Sequence, residues 1–473
     1  MCGVFGIRSR SRDVARLTYF GLFALQHRGQ ESAGIAVADD GRLTALRELG
    51  LVTQVFDERK LRGLRGTLAI GHTRYSTTGS TQWSNAQPLV QTGTARTVAV
   101  AHNGNVTNAC ELRAELRDRG TRLDTTSDTE AVAALIANDP APLAEAAAAA
   151  MERLEGAYSV AALAEGTLLA LRDPRGFRPL CLGRLGDDWL VSSETCALDL
   201  VGADFERELE PGELVIVDEE GCHSRHPAAA AEVGALCIFE FVYLARPDSR
   251  IAGVEVHAAR IRMGEQLAAE APVAADLVMP IPDSGTPAAI GFSRVTGIPF
   301  SEGVIKNRYV GRTFIQPDQA MRELGIRLKF NPLAEVAGRR IVVVDDSIVR
   351  GNTMRQIVAM LFEAGASEVH VRISSPPVVG QCFYGIDLAD ENELVASSRN
   401  VEDVRAELGA TSLAHLSLEG LERSTERPRG TLCRGCFTRR YPTRVPERAG
   451  KLRFEAGDSG QTPRVFRAEM VET

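Results

Sequence analysis

The chain has 473 residues, 44% of them hydrophobic and 25% charged, a length that divides into two or three domains rather than one core. Its 54 basic and 62 acidic residues leave a net charge of −8, which gives no footing for nucleic-acid binding. No apolar run reaches membrane-spanning length, the N-terminus lacks the apolar core of a signal peptide, and nine cysteines point to reduced, catalytic or metal-bound thiols in a cytoplasmic protein.

Position 2 is a cysteine. With Met1 removed, Cys2 carries both the thiol and the free α-amino group, whose ordinary pKa of about 7.7–8.0 lets it act as a local base for that thiol. Gly3-Val4-Phe5-Gly6-Ile7 reads as a strand that starts at once and holds Cys2 at a buried edge. TLAIGHTRYST, RTVAVAHNGNV, GAYSVAAL, GTLLALRDP, DWLVSSE and GELVIVD read as further short strands; residues 19–26, 128–138 and the Ala-rich run 145–151 read as helices. The pattern predicts two β-sheets covered by helices. Three polar clusters fall at strand ends: His72-Thr73-Arg74, His102-Asn103-Gly104-Asn105 and Thr126-Ser127-Asp128. Arg74 suits a carboxylate as a bidentate partner. Asp128 suits an ammonium, and the Asn103 amide with the Gly104 N–H suits an oxyanion. An α-amino acid with a reactive side-chain carbonyl satisfies all three, although each cluster taken singly reads more simply as turn chemistry. His27, His72 and His102 receive no catalytic role, because the amine already supplies a base.

Regular patterning fades over residues 222–233, so the first domain is placed at residues 2–230. Cys222, His223 and His226 read as part of a polar linker rather than as a metal site. Beyond it, strands at residues 276–281, 339–344, 368–373 and 393–396 alternate with helices and predict a mostly parallel sheet with ligands at its C-terminal edge. Pro282-Asp283-Ser284-Gly285-Thr286 is a polar turn that opens a helix, and DDSIVRGNT at residues 345–353 is a second. Backbone N–H groups and the positive helix end make such turns anion cradles. Asp345 and Asp346 can hold ribose hydroxyls or a hard cation. An ordinary capped strand-to-helix turn is the plainer alternative. Two cradles at one sheet edge suit a substrate with two phosphate groups. Between them, residues 306–329 carry six basic and two acidic side chains, either a solvated charged face or a lid over a polyanion. Cys433-Arg434-Gly435-Cys436 is a C-x-x-C, open on its own between a redox pair, half a zinc site and neither. Cys110, Cys181 and Cys196 read as buried small apolar residues.

MCGVFGI, LQHRGQESAGIA, GHTRYST, AHNGN and SDTE resemble the N-terminal-nucleophile (class II) glutamine amidotransferase domain. The 341–353 stretch, IVVVDDSIVRGNT, resembles the phosphoribosyl diphosphate (PRPP) signature of type I phosphoribosyltransferases. With FEFVYLARPDS, VHAARIRMG, PIPDSG and IKNRYVGRTFIQP in this order, the chain from Cys2 to about Pro442 resembles the glutamine PRPP amidotransferases. The resemblance implies an αββα sandwich followed by a phosphoribosyltransferase domain over residues 231–445, α/β and α+β in class, with residues 446–473 as a polar surface tail.

It implies that Cys2 attacks the glutamine amide, that Asn103 and Gly104 hold the oxyanion, and that Arg28, Arg74 and Asp128 bind glutamine. Ammonia would pass through an internal channel to displace pyrophosphate from PRPP. For PRPP it implies Asp283, Ser284, Lys306, Arg308, Asp345, Asp346, Ser347, Ile348, Val349, Arg350, Gly351, Asn352 and Thr353, with one Mg²⁺ per subunit on Ser284, Asp345 and Asp346. The Met-Cys start implies that no long propeptide needs removal. The iron–sulfur branch of the family places ligands at the positions of Cys237, Cys382, Cys433 and Cys436, which implies a [4Fe–4S] cluster, with Zn²⁺ or no metal as alternatives. Feedback by purine nucleotides and a homotetramer or homodimer are also implied. His415 and Phe330 depart from the residues usual in the family without touching this chemistry. Two other readings stay open: ammonia passed to a different acceptor such as a sugar phosphate, and a PRPP-binding regulator without turnover.

Overall fold

The computed structural model describes residues 2–76, 78–227, 230–307, 328–388 and 391–444. Arg308 with most of the expected lid, and the expected tail at 446–473, lie outside the described residues.

The first half contains strands β1 Gly3–Arg8, β2 Ser32–Asp39, β3 Arg42–Leu49, β4 Leu68–Arg74, β5 Leu89–Thr92, β6 Thr97–Val106, β7 Gly156–Ala164, β8 Thr167–Arg172, β9 Cys181–Leu185, β10 Asp188–Ser192, β11 Asp204–Glu208, β12 Leu214–Val217 and β13 Cys222–Arg225. Among the described residues they form two antiparallel sheets, ordered β11-β9-β10-β1-β4-β2-β3 and β13-β12-β8-β7-β6-β5. Period-two alternation explains the layering. In β1, Val4 enters the core between the sheets with Ile70, Ala101, Ala161 and Val215, while Phe5 and Ile7 face helix Val14–Ala24. The outer face of the second sheet packs on helices Ala109–Asp118, Thr129–Asn138 and Leu143–Arg153. The result is the expected helix–sheet–sheet–helix sandwich. Residues 222–225, read from sequence as linker, instead form β13 as the hairpin partner of β12, with Leu214 opposite Arg225. Their exposed, polar side chains hid an edge strand whose cohesion is in the backbone ladder.

The second half adds β14 Leu236–Cys237, β15 Arg250–Ile251, β16 Val254–Glu255, β17 Leu277–Pro280, β18 Val304–Lys306, β19 Phe330–Pro332, β20 Arg340–Asp345, β21 Glu368–Ile373, β22 Ser412–His415 and β23 Leu432–Cys433. Strands β17-β20-β21-β22 make a parallel four-stranded sheet. Its centre is β20, buried on both faces: Ile341 and Val343 meet helix Asn352–Glu363, and Val342 and Val344 meet helices Val256–Glu270 and Thr286–Thr296. Each such side chain contributes about 1.5–3 kcal/mol on burial. The last two helices touch backbone to backbone, since a Cβ on Gly264 would overlap the Ala288 carbonyl. That approach fixes where the Thr286–Thr296 helix starts. The expected strand at 393–396 is not one. Residues Glu391–Glu393 form a 3-10 turn and the Val395 N–H donates to Val349 O at 2.9 Å, so this segment braces the second cradle and β22 completes the sheet. No helix among the described residues is long and apolar enough to cross a membrane.

Candidate active sites

The β1–β4 ladder sets Gly3 opposite Thr73, which brings Cys2 beside the Arg74 end of β4, its Sγ 3.7 Å from Tyr75 O. The facing sheet supplies β6, and the Cys2 backbone N–H donates to Asn103 Oδ1 at 3.2 Å. Asn103 is fully buried and its Nδ2 has no hydrogen-bond partner among the described residues. Cys2, Arg74, Gly104 and Asp128 line one narrow pocket together with Tyr75, Ser76, Thr78, Gln87, His102, Ser127 and Thr129. Asp128 caps helix Thr129–Asn138 through the Thr129 N–H at 3.1 Å, and its other oxygen takes the Val106 N–H at 2.9 Å. Arg74 is held by the carbonyls of Ser80 and Thr78, each at 3.1 Å, and burial lowers its pKa. His72 donates from Nε2 to His102 O at 3.0 Å, and burial pulls its pKa down to about 3, so it is a neutral structural group. Gln87 was not singled out from sequence. It bonds the His102 N–H and Thr129 Oγ1, and nothing local marks it for that place.

Arg28 does not line this pocket. The turn Gln26–Arg28 buries its guanidinium completely, where Nε donates to Cys2 O at 2.9 Å and the other nitrogens meet Glu194 and Glu240. The guanidinium is therefore a strut behind the nucleophile, saturated by two carboxylates, which leaves the expected glutamine contact of the Arg28–Gly29 turn to its backbone. Glu240, from the second half, also takes Arg178 at 3.1 Å. Burial alone would raise the Glu240 pKa, but the charges of Arg28 and Arg178 with the Arg28 bonds hold it below the usual range.

The two cradles leave adjacent parallel strands at the same end, with Pro280 opposite Val344. They touch: a Cβ on Gly285 would stand 2.5 Å from Val344 O and 3.2 Å from Asp345 Cα. The Pro282–Asp283 peptide is cis. Asp283 pairs with Lys306 at 2.5 Å. In the second cradle Asp345 accepts the Asp346 N–H at 2.9 Å, and Ser347 Oγ donates to Asp346 at 2.5 Å. Burial, then the neighbouring Asp346 charge, pushes the Asp345 carboxyl well above its ordinary pKa. Such a pair suits a cation or hydroxyl donors. Gly351, at φ +76, turns the chain into helix Asn352–Glu363. The Ile348 side chain belongs to the core and Val349 packs on it, so these two can offer a ligand only backbone. Arg350 pairs with Glu393 at the rim.

Three chain segments carry Cys237, Cys382, Cys433 and Cys436. Cys237 and Cys433 are register partners in the parallel β14–β23 pair, Cys436 lies in the helix after β23, and Cys382 Sγ accepts the Tyr384 N–H at 3.4 Å. Burial lifts the Cys237 thiol to about 11 and those of Cys433 and Cys436 higher, and each also feels the other thiols. Among the described residues no three His, Cys, Asp or Glu side chains are gathered as a single metal ion requires.

Residues 72–200 match the glutamine amidotransferase domain family, and residues 255–374 match the phosphoribosyl transferase domain family. The chain is 53% identical over 459 residues to the amidophosphoribosyltransferase of Mycobacterium tuberculosis, covering 94% of this chain and 87% of that one. It is 47% identical over 451 residues to that of Bacillus subtilis, covering 94% of each. A solved structure of glutamine PRPP amidotransferase from B. subtilis, complexed with ADP and GMP, superposes with a TM-score of 0.89 at 46% identity, over 95% of this chain and 99% of that one. At this identity and coverage the chain belongs to the amidophosphoribosyltransferase family, whose reaction turns PRPP, glutamine and water into 5-phosphoribosylamine, glutamate and pyrophosphate at the start of purine synthesis.

Proposed function

We propose that the two half-reactions divide between the Cys2 pocket and the paired cradles, with ammonia passing internally from one to the other. The observation that carries the reading is the Asn103 amide, whose Oδ1 orients the Cys2 nitrogen while its Nδ2 stays buried and unpartnered. A buried donor without a partner costs about 1–3 kcal/mol, a cost that an incoming oxyanion removes. Once Met1 is gone, the Cys2 amine takes the thiol proton and Sγ attacks the glutamine carbonyl carbon. Asn103 Nδ2 and the Gly104 N–H receive the oxyanion, ammonia leaves, and water hydrolyses the thioester. Arg74 and Asp128 hold the α-carboxylate and α-ammonium. At the other site, the N–H groups of residues 347–353 take the 5-phosphate and Asp345 and Asp346 the ribose hydroxyls. Asp283 and Lys306 lie on the pyrophosphate side, next to the basic segment to which Arg308 belongs.

The hard-oxygen donor set of Ser284, Asp345 and Asp346 fits Mg²⁺, which when bound supplies positive charge to the departing pyrophosphate. A [4Fe–4S] cluster on Cys237, Cys382, Cys433 and Cys436, tying the C-terminal part of the chain to the body, is supported by the register pairing of Cys237 with Cys433 and by Cys436 in the helix that follows. Zn²⁺ is the second reading for the same thiols. Purine nucleotides as feedback ligands, a homotetramer or homodimer, a cytoplasmic location and domains at residues 2–230 and 231–445 complete the proposal. PRPP-dependent glutaminase activity with stoichiometric pyrophosphate release tests it; glutamine hydrolysis without pyrophosphate release would refute the pairing of the sites.

A further inference from the structure

Gly104, which lines the Cys2 pocket, is backed by the other half of the chain. Gly104 has φ +146 and lies between two backbones. On one side a Cβ at Gly104 would overlap Ala157 O. On the other stands Gly385, where a Cβ would be 2.8 Å from Gly104 O and 2.9 Å from Gly104 C. Gly385 itself sits at φ +102, where only glycine rests without strain. Asn105, the next residue of β6, donates from Nδ2 to Phe383 O at 2.7 Å, and its Oδ1 accepts Thr78 Oγ1 at 2.6 Å.

The turn 383–385 is itself held in place. Tyr384 O accepts two bonds from Arg178, at 3.1 and 2.8 Å, and the Tyr384 ring stacks on Phe177 with centroids 4.2 Å apart. Arg178 shares Glu240 with Arg28, and Arg28 bonds Cys2 O. One buried network therefore reaches the nucleophile from behind and Gly104 from its carbonyl side.

We propose that residues 383–385 are a positioning element for the glutaminase centre, holding Gly104 by its Cα and carbonyl so that the N–H on the other side of that Cα points where the oxyanion forms. This rests on the reading of Cys2 and Asn103 given above. A peptide displaced here weakens binding of the transition state while leaving the glutamine carboxylate and ammonium contacts at Arg74 and Asp128 in place. The effect belongs in kcat rather than KM.

The test uses Gly385→Ala and Asn105→Asp in the full chain, assayed with glutamine and separately with ammonia. In Gly385→Ala the glutamine-dependent kcat should fall roughly 10- to 100-fold, with the glutamine KM and ammonia-dependent synthesis within about two-fold of wild type. Asn105→Asp, which cannot donate to Phe383 O, should shift the same parameter in the same direction. Unchanged kcat in both variants overturns the proposal, and so does equal loss of both activities in both. If Gly385→Ala does not fold, Asn105→Asp decides by the same criteria. Asn103→Ala separates this from the underlying reading: glutamine turnover retained in Asn103→Ala sinks the oxyanion assignment, whereas its loss alongside normal Gly385→Ala and Asn105→Asp enzymes sinks only the positioning role.

Discussion

Removing the Cys2 sulfur should separate the two half-reactions. Cys2→Ala is expected to lose glutamine-dependent synthesis and keep synthesis at high ammonia, because nothing at the cradles touches that thiol; glutamine-dependent turnover in the variant would displace Cys2 as nucleophile. Loss of the Asn103 donor in Asn103→Ala should cost about 10²- to 10³-fold in glutamine-dependent kcat. Glu194 carries a different prediction. It is fully enclosed by His27 at 2.7 Å, Arg28 at 2.5 Å, Ser249 at 2.6 Å and the Arg246 N–H at 2.9 Å. Burial raises its pKa, but the His27 and Arg28 charges and these bonds win and depress it strongly. A carboxyl depressed in the folded state contributes stability that is complete above its unfolded value of about 4.3 and is lost as pH falls toward the folded value. Tm should therefore drop between about pH 5 and pH 3. Glu194→Gln should start roughly 3–5 kcal/mol less stable, with a shallower acid slope, because Arg28 loses one of its two carboxylates. A steeper slope in that variant would contradict the assignment.

Among the elements, the cradle turns depend on how closely their strands pack. Gly285→Ala should abolish synthesis with both glutamine and ammonia, since the added methyl meets Val344 O at 2.5 Å and forces the two turns apart; ordinary ammonia-dependent rates would refute the shared site. Much of this level was legible in the sequence. The strand at Gly3–Ile7 and the parallel-sheet strand at residues 339–344 are both where their apolar runs predict them. The failures have physical causes. Residues 393–396 looked like a strand because Leu394, Val395 and Ala396 form a short apolar run, but the Val395 N–H is spent on Val349 O rather than on a ladder. Residues 222–225 looked like linker because edge strands are held by backbone bonds, which leave no hydrophobic signature.

For the molecule as a whole, the proposed cluster carries the prediction about how the C-terminal segment is anchored. Protein purified without oxygen should contain about four irons and four labile sulfides per chain. Cys433→Ser should lose them and lower Tm, as judged by metal analysis and calorimetry; zinc in place of iron would select the alternative, and neither metal would remove the site. Cys2, the Arg74, Asp128 and Asn103 positions, and both cradle motifs were readable from the chain alone, because strand-end polar clusters and strand–turn–helix patterns are local in sequence. The sequence by itself therefore determined which groups are present: a cysteine at position 2, polar clusters at strand ends and two strand–turn–helix motifs. Only the tertiary structure decided that the Arg28 side chain is spent on a strut behind Cys2, that Glu240 joins the halves, and that residues 383–385 pack against Gly104 and Asn105. The Asn105–Phe383 bond alone joins residues 278 positions apart, and no spacing rule reaches across such a distance.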